Sequence, residues 1–217
     1  MTSAAIKYKV GIVEEQPDWI DMFKRRLKDD FELVIFPLTE GLSKEQLVEQ
    51  IEAKELDCLI ADYDLKETDL VGFNGDEVVE EYRKKFPYFP VFIISSKEEE
   101  DILRQIHDNE IVRVKDELTQ RTPVLIQRVK NKIENYYTEI RKAEEKITEL
   151  INKRNNGNDL SVEEGAILTE KYQFLEKIDP SSKAIPDNLI QPESITQLQE
   201  FVANTKTIIE QLKALQK

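Results

Sequence analysis

The feature that most constrains the fold is an alternation repeated five times within the first 120 residues. Short apolar runs, each four to six residues long, are separated by longer segments with apolar residues at helical spacing. "KVGIVE" precedes "PDWIDMFKRRLKDD", where Trp19, Ile20, Phe23 and Leu27 share one helical face behind Pro17, a residue suited to a first turn. "FELVIFP" precedes "SKEQLVEQIEAKE", with Ser43 as the expected N-cap. "LDCLIAD" precedes "GDEVVEEYRKKF", "VFIISS" precedes a helix around "EEEDILRQIHD", and "EIVRVK" is the last strand. Runs this apolar are buried on both faces, and strand–helix alternation makes the sheet parallel. The expected fold is α/β, a five-stranded parallel sheet in a three-layer sandwich.

From Pro123 the period changes. Ile126, Val129, Ile133, Tyr136, Ile140, Ala143, Ile147 and Leu150 step by 3 and 4 in turn, a heptad seam. "NNGND" ends it at Gly157, and Ser161 with Glu164 is a capping-box signature for a helix reaching about Ile178. After Pro180, Pro186 and Pro192 a last helix is expected from about Glu193, with Ile195, Leu198, Val202, Ile209 and Leu212 on one face. The expected domains are therefore 1–121, a sandwich, and 122–217, an all-α helical bundle or coiled coil. Tyr136 and Ala143 suit a uniform two-stranded zipper poorly, which favours a three-helix assembly over a simple dimer.

Charge follows the same division. Residues 1–121 carry 17 basic and 29 acidic residues, a net of −12, and residues 122–217 carry 14 and 15, a net of −1. Neither balance suits a nucleic-acid backbone, and no basic recognition helix is visible. One cysteine, Cys58, excludes an intramolecular disulfide and fits a reducing compartment. No apolar stretch approaches a membrane span or a signal peptide, so the expected location is cytoplasmic, with no membrane partner. His107 is the only histidine, so residues 122–217 cannot act as a histidine phosphotransfer module.

The stretch "CLIADYDLKE" carries the chemistry. In a parallel sheet all strands end at one edge, where α/β proteins build their sites. There Glu14 and Glu15 follow the first strand, Asp62 the third, Ser95 and Ser96 the fourth, and Lys115 the fifth. Converging carboxylates repel, so they call for a cation, and hard oxygen ligands favour Mg²⁺. Metal, ammonium and hydroxyl together suit a phosphoryl group, with a carboxylate as nucleophile. Either serine could equally N-cap the next helix. Cys58, Trp19 and Tyr63 read as packing residues.

On these residues, positions 7–120 resemble the receiver domain of bacterial two-component response regulators, a flavodoxin-like fold. The resemblance implies that Asp62 is the phospho-acceptor and that Glu14, Glu15, Asp62 and the backbone carbonyl of Asp64 hold Mg²⁺. It implies that Ser95 and Lys115 contact the phosphoryl group, and that Gly75 opens the third helix. It further implies a histidine kinase or phosphotransfer protein as partner, in a two-component system or phosphorelay. The helical half would then give output by protein contact or homo-oligomerisation, and the protein would signal rather than act as an enzyme. Some positions depart from the family's pattern: a Glu–Glu acidic pair, a segment from Leu65 to Gly75 about five residues longer than usual, Val112 in place of an aromatic, and Asp116 where proline is common. Two other readings compete. One is a phosphorylation-independent scaffold with the same fold. The other is a haloacid-dehalogenase-type phosphatase, with Asp62 as nucleophile and Asp64 as general acid/base.

Overall fold

The structure, a computed structural model, describes residues 7–96 and 109–179. The chain divides into two units, one of Lys7–Glu139 and a helical one beginning at Ile140. The helix expected around residues 98–108, His107, the proline-containing loop and the last helix lie outside the described residues.

In the first unit β1 (Tyr8–Val13), β2 (Phe31–Phe36), β3 (Cys58–Asp62), β4 (Val91–Ser95) and β5 (Val112–Val114) form one sheet in the order β2-β1-β3-β4-β5. Every pairing is parallel. This is the doubly wound, flavodoxin-like order, in which the chain runs outward on either side of β1 and β3. β3 and β4 are buried at every residue, as expected of strands covered on both faces.

The helices are α1 (Pro17–Leu27), α2 (Lys44–Glu52), α3 (Gly75–Lys85), α4 (Lys115–Gln120), α5 (Thr122–Asn155) and α6 (Val162–Ile178). Alternate strand residues feed two cores. Val10, Ile12, Cys58, Ile60, Phe92 and Ile94 pack with Phe23 and Leu27 of α1, Leu118 of α4, and Leu125, Val129 and Ile133 of α5. On the other face Val13, Leu59, Ala61 and Ile93 pack with Leu47 and Ile51 of α2 and Val78, Val79 and Tyr82 of α3. Cys58 lies deep in the first core, where burial pushes its thiol pKa well above the usual range.

Local chemistry accounts for the helix starts. Ser43 Oγ accepts the Gln46 N–H at 3.2 Å while Gln46 Oε1 accepts the Ser43 N–H at 3.0 Å. Ser161 and Glu164 form the same reciprocal box at the start of α6. α3 begins at Gly75, whose N–H donates to the Tyr63 carbonyl at 3.1 Å.

The heptad seam of α5 meets two different surfaces rather than one zipper partner. Val129 and Ile133 bury against the sheet, and Leu125, not Ile126, is the fully buried residue that begins the stripe. Tyr137 adds a polar fastening in the same unit: its hydroxyl donates to Asp57 Oδ1, while Asp57 Oδ2 accepts the Lys9 N–H at 2.6 Å. In the helical unit Ala143, Ile147 and Leu150 pack with Leu168 and Leu175 of α6, and Lys153 pairs with Glu164 at 2.6 Å. The sandwich therefore uses the seam's first half as its last covering helix, and the expected boundary at 121/122 marks the start of α5.

Gly75 sits where no side chain fits. A Cβ there would lie 1.9 Å from the Asp62 carbonyl oxygen and 2.8 Å from its carbonyl carbon. Both atoms are backbone, so relief requires β3 and α3 to separate. Gly75→Ala is expected to destabilise the fold by about 1–3 kcal/mol, read as a lowered urea midpoint. An unchanged midpoint would show that α3 does not pack this closely.

Candidate functional site

Strand register assembles the site. Val13 pairs with Ala61, so the next residues, Glu14 and Asp62, stand abreast at the edge. Asp62 pairs with Ile94 and Ser95 with Val114, which sets Ser95 and Lys115 at the ends of the adjoining strands. The acids thus lie at the ends of β1 and β3, where the strand order reverses, the usual crevice of such sheets.

Glu14, Glu15, Asp62, Asp64, Ser95 and Lys115 are all buried. One carboxylate oxygen from each of Glu14, Glu15 and Asp62 lies within 4.8 Å of the others, close enough for one cation to bridge them. Lys115 Nζ is 2.9 Å from Glu14 Oε2 and 3.0 Å from Asp62 Oδ1. The structure therefore brings Glu14, Glu15, Asp62 and Lys115 together as a cluster.

Asp64 and Ser95 form a second pair beside it. Ser95 Oγ donates to Asp64 Oδ2 at 3.1 Å. The Asp64 carbonyl accepts the Glu67 N–H at 3.1 Å. The side chain of Asp64, absent from the expected ligand set, is thus engaged by the serine expected to meet a phosphoryl group.

Two further residues shape the cluster. Gln16 donates its backbone N–H to Glu14 Oε1 at 3.1 Å and its Nε2 to Glu15 Oε1 at 3.3 Å. Trp19, read from sequence as packing, places its ring centroid 4.8 Å from Lys115 Nζ. Its position in the first turn of a helix opened by Pro17, just after the acidic pair, was the available signal. Tyr63 is buried in the core beneath the site.

Electrostatics follow from this packing. Burial pushes Asp62 up to about 6, with Lys115 opposing and Glu15 and Asp64 adding to the rise. Burial, then the Asp62 charge, raises Glu14 to about 7 against the pull of Lys115. Burial would lower Lys115, but Asp62 and Glu14 outweigh it and the net shift is upward. Glu15 Oε2 and Asp62 Oδ2 are buried without a hydrogen-bond partner among the described residues. Orphaned carboxylate oxygens on a cluster with excess negative charge are the donor set a hard divalent cation requires, so these residues fit Mg²⁺.

No protein-family model matches the sequence, and no curated protein matches it. Solved structures with similar folds include receiver domains, which cover about three-fifths of this chain. A response regulator receiver domain protein from Methanospirillum hungatei is 17% identical over 61% of this chain and 98% of that chain, with a TM-score of 0.47. A DNA-binding response regulator from Staphylococcus aureus is 19% identical over 58% and 98%, with a TM-score of 0.45. A sensor protein from Polaromonas is 15% identical over 59% and 98%, with a TM-score of 0.47. The likeness is one of fold.

The raised carboxyl pKa values have a consequence for stability. A carboxyl group whose pKa is higher folded than unfolded binds its proton more tightly in the native state. Its contribution is fully present below the unfolded value and is lost as pH rises through the folded one. Without divalent cation, stability is expected to fall by on the order of 3 kcal/mol between pH 5 and pH 8. Asp62→Asn should flatten that fall and raise the urea midpoint at pH 8. A profile equally steep in the variant would show that Asp62 is not held as a buried, repelled carboxylate.

Proposed function

We propose that this chain is a receiver-type signalling protein that accepts a phosphoryl group on Asp62 in a Mg²⁺-dependent step, as an element of a two-component or phosphorelay system. The observation that carries this reading is the state of Asp62. One carboxylate oxygen is held by Lys115, the other is buried without a hydrogen-bond partner, and the group lies at the crevice of a doubly wound sheet.

In the proposed step Asp62 Oδ2 attacks phosphorus and forms a new O–P bond. The bond from phosphorus to the donor breaks, and the departing group carries away its electron pair. Lys115, fixed between Glu14 and Asp62, stands ready to pair with a phosphoryl oxygen. Ser95 would exchange its hydrogen bond to Asp64 for one to the phosphoryl group. Glu14, Glu15 and Asp62, with the main-chain carbonyl of Asp64, would hold the Mg²⁺, whose charge offsets that of the carboxylates and the incoming phosphate.

The donor on this reading is a histidine kinase or phosphotransfer protein, and the protein signals rather than turns over a substrate. Output is by protein contact or self-association through the helical part, without nucleic acid. The haloacid-dehalogenase-type alternative needs its nucleophile on the first core strand, whereas Asp62 ends β3 and the paired acids end β1. No described helix is long and apolar enough to cross a membrane.

Intact mass after incubation with acetyl phosphate tests the proposal. The native protein with Mg²⁺ is expected to gain one phosphoryl group, and Asp62→Asn to gain none. Omission of Mg²⁺ should abolish the gain. No gain from acetyl phosphate or from a phosphorylated histidine donor, with no Mg²⁺ binding by calorimetry, would favour the phosphorylation-independent scaffold.

A further inference from the structure

The β1–α1 connection does more than supply two carboxylates. Pro17 begins α1 directly after Glu14, Glu15 and Gln16, and the Gln16 carbonyl accepts the N–H groups of Trp19 and Ile20 at 3.1 and 3.0 Å. This turn returns the indole toward the strand ends, over the ammonium that ends the fifth strand. Lys115 is 3% exposed. Glu14 Oε2 and Asp62 Oδ1 lie at 2.9 and 3.0 Å from Nζ, and the Trp19 ring covers another side with its centroid at 4.8 Å. Trp19 itself is half-buried, with part of its surface on the solvent side.

A lysine ammonium is a compact, strongly hydrated charge on a flexible stem, and it leaves a crowded anionic site readily if water reaches it. Two features oppose that departure here. The carboxylates attract it, and the indole's negative π face attracts it while excluding water. A purely apolar cover would exclude water without the second attraction.

We infer that Trp19 is a positioning residue for Lys115: its ring holds the ammonium in the bridge between Glu14 and Asp62 and closes it from solvent. The inference rests on the reading of Asp62 as acceptor only for its purpose, since the pairing itself is testable without phosphate. Trp19 is also the only tryptophan of the chain, so its emission reports the surroundings of this one ring, the ammonium and the first core among them.

The test uses the full chain, mapping the modification of Lys115 by an amine-acylating reagent through peptide mass, in native protein, Trp19→Phe and Trp19→Leu. Lys115 should be protected in the native protein, modified at a rate within about twofold of native in Trp19→Phe, and about fivefold faster in Trp19→Leu. Lys9 and Lys130 should react at unchanged rates in all three. Equal Lys115 rates in native and Trp19→Leu protein would overturn the inference. Should Trp19→Leu expose every lysine by unfolding, native emission decides against that of Lys115→Met. The inference predicts a changed emission maximum or intensity when the ammonium is removed, and an unchanged spectrum would overturn it. If rates and emission behave as stated but acetyl phosphate adds no mass to native protein, the pairing stands and the phospho-acceptor reading fails.

Discussion

Four buried carboxylates and one buried ammonium meet where β1, β3 and β5 end. Such a group is costly to bury, because each charge loses water and the carboxylates repel one another. The parallel ladder leaves no alternative: once Val13 pairs with Ala61, Glu14 must stand beside Asp62. Shifting the register would relieve the repulsion only by moving Ile12 and Ile60 from one packed face of the sheet to the other. Hydrophobic burial along the strands thus holds the charges together, and Lys115 makes the arrangement tolerable by bridging Glu14 and Asp62. The surrounding features serve that compromise. Gln16 fixes both glutamates, Trp19 covers the ammonium, and Gly75 lets α3 begin against the Asp62 carbonyl.

The long helix shows how one apolar stripe can serve two purposes. Its first half completes the covering layer of the sheet, and its second half forms a small core with α6. Lys130 pairs with Asp30 at 2.6 Å in the first unit, as Lys153 does with Glu164 in the second.

The fold was legible because its cause is local. Runs such as "CLIAD" and "VFIIS" are too apolar for anything but central strands, and capping residues such as Ser43 and Ser161 act within four residues of themselves. The convergence of Glu14, Glu15, Asp62 and Lys115 was legible for a topological reason: parallel strands share an edge. What escaped the sequence depends on choices among tertiary partners. Nothing local tells Ser95 to pair with the side chain of Asp64, or places the indole of Trp19 over a lysine ninety-six positions away. The heptad pattern shows that a face is buried but not against what, so a sheet and a helix satisfied it equally. The extended Leu65–Gly75 segment read only as longer than usual, yet Leu65, Val71 and Phe73 are buried in the core. Its apolar residues carry too little periodicity to reveal this.

We propose that the converged carboxylates form a cation site at the crevice of the sheet. The most direct measurement is the urea midpoint at pH 8 with and without Mg²⁺, in native protein and in the Glu14→Gln/Glu15→Gln double variant. Mg²⁺ is expected to raise the native midpoint, by binding only the folded state. No such rise is expected in the double variant, which should be more stable than native without metal. A native midpoint indifferent to Mg²⁺ would show that the carboxylates hold no cation.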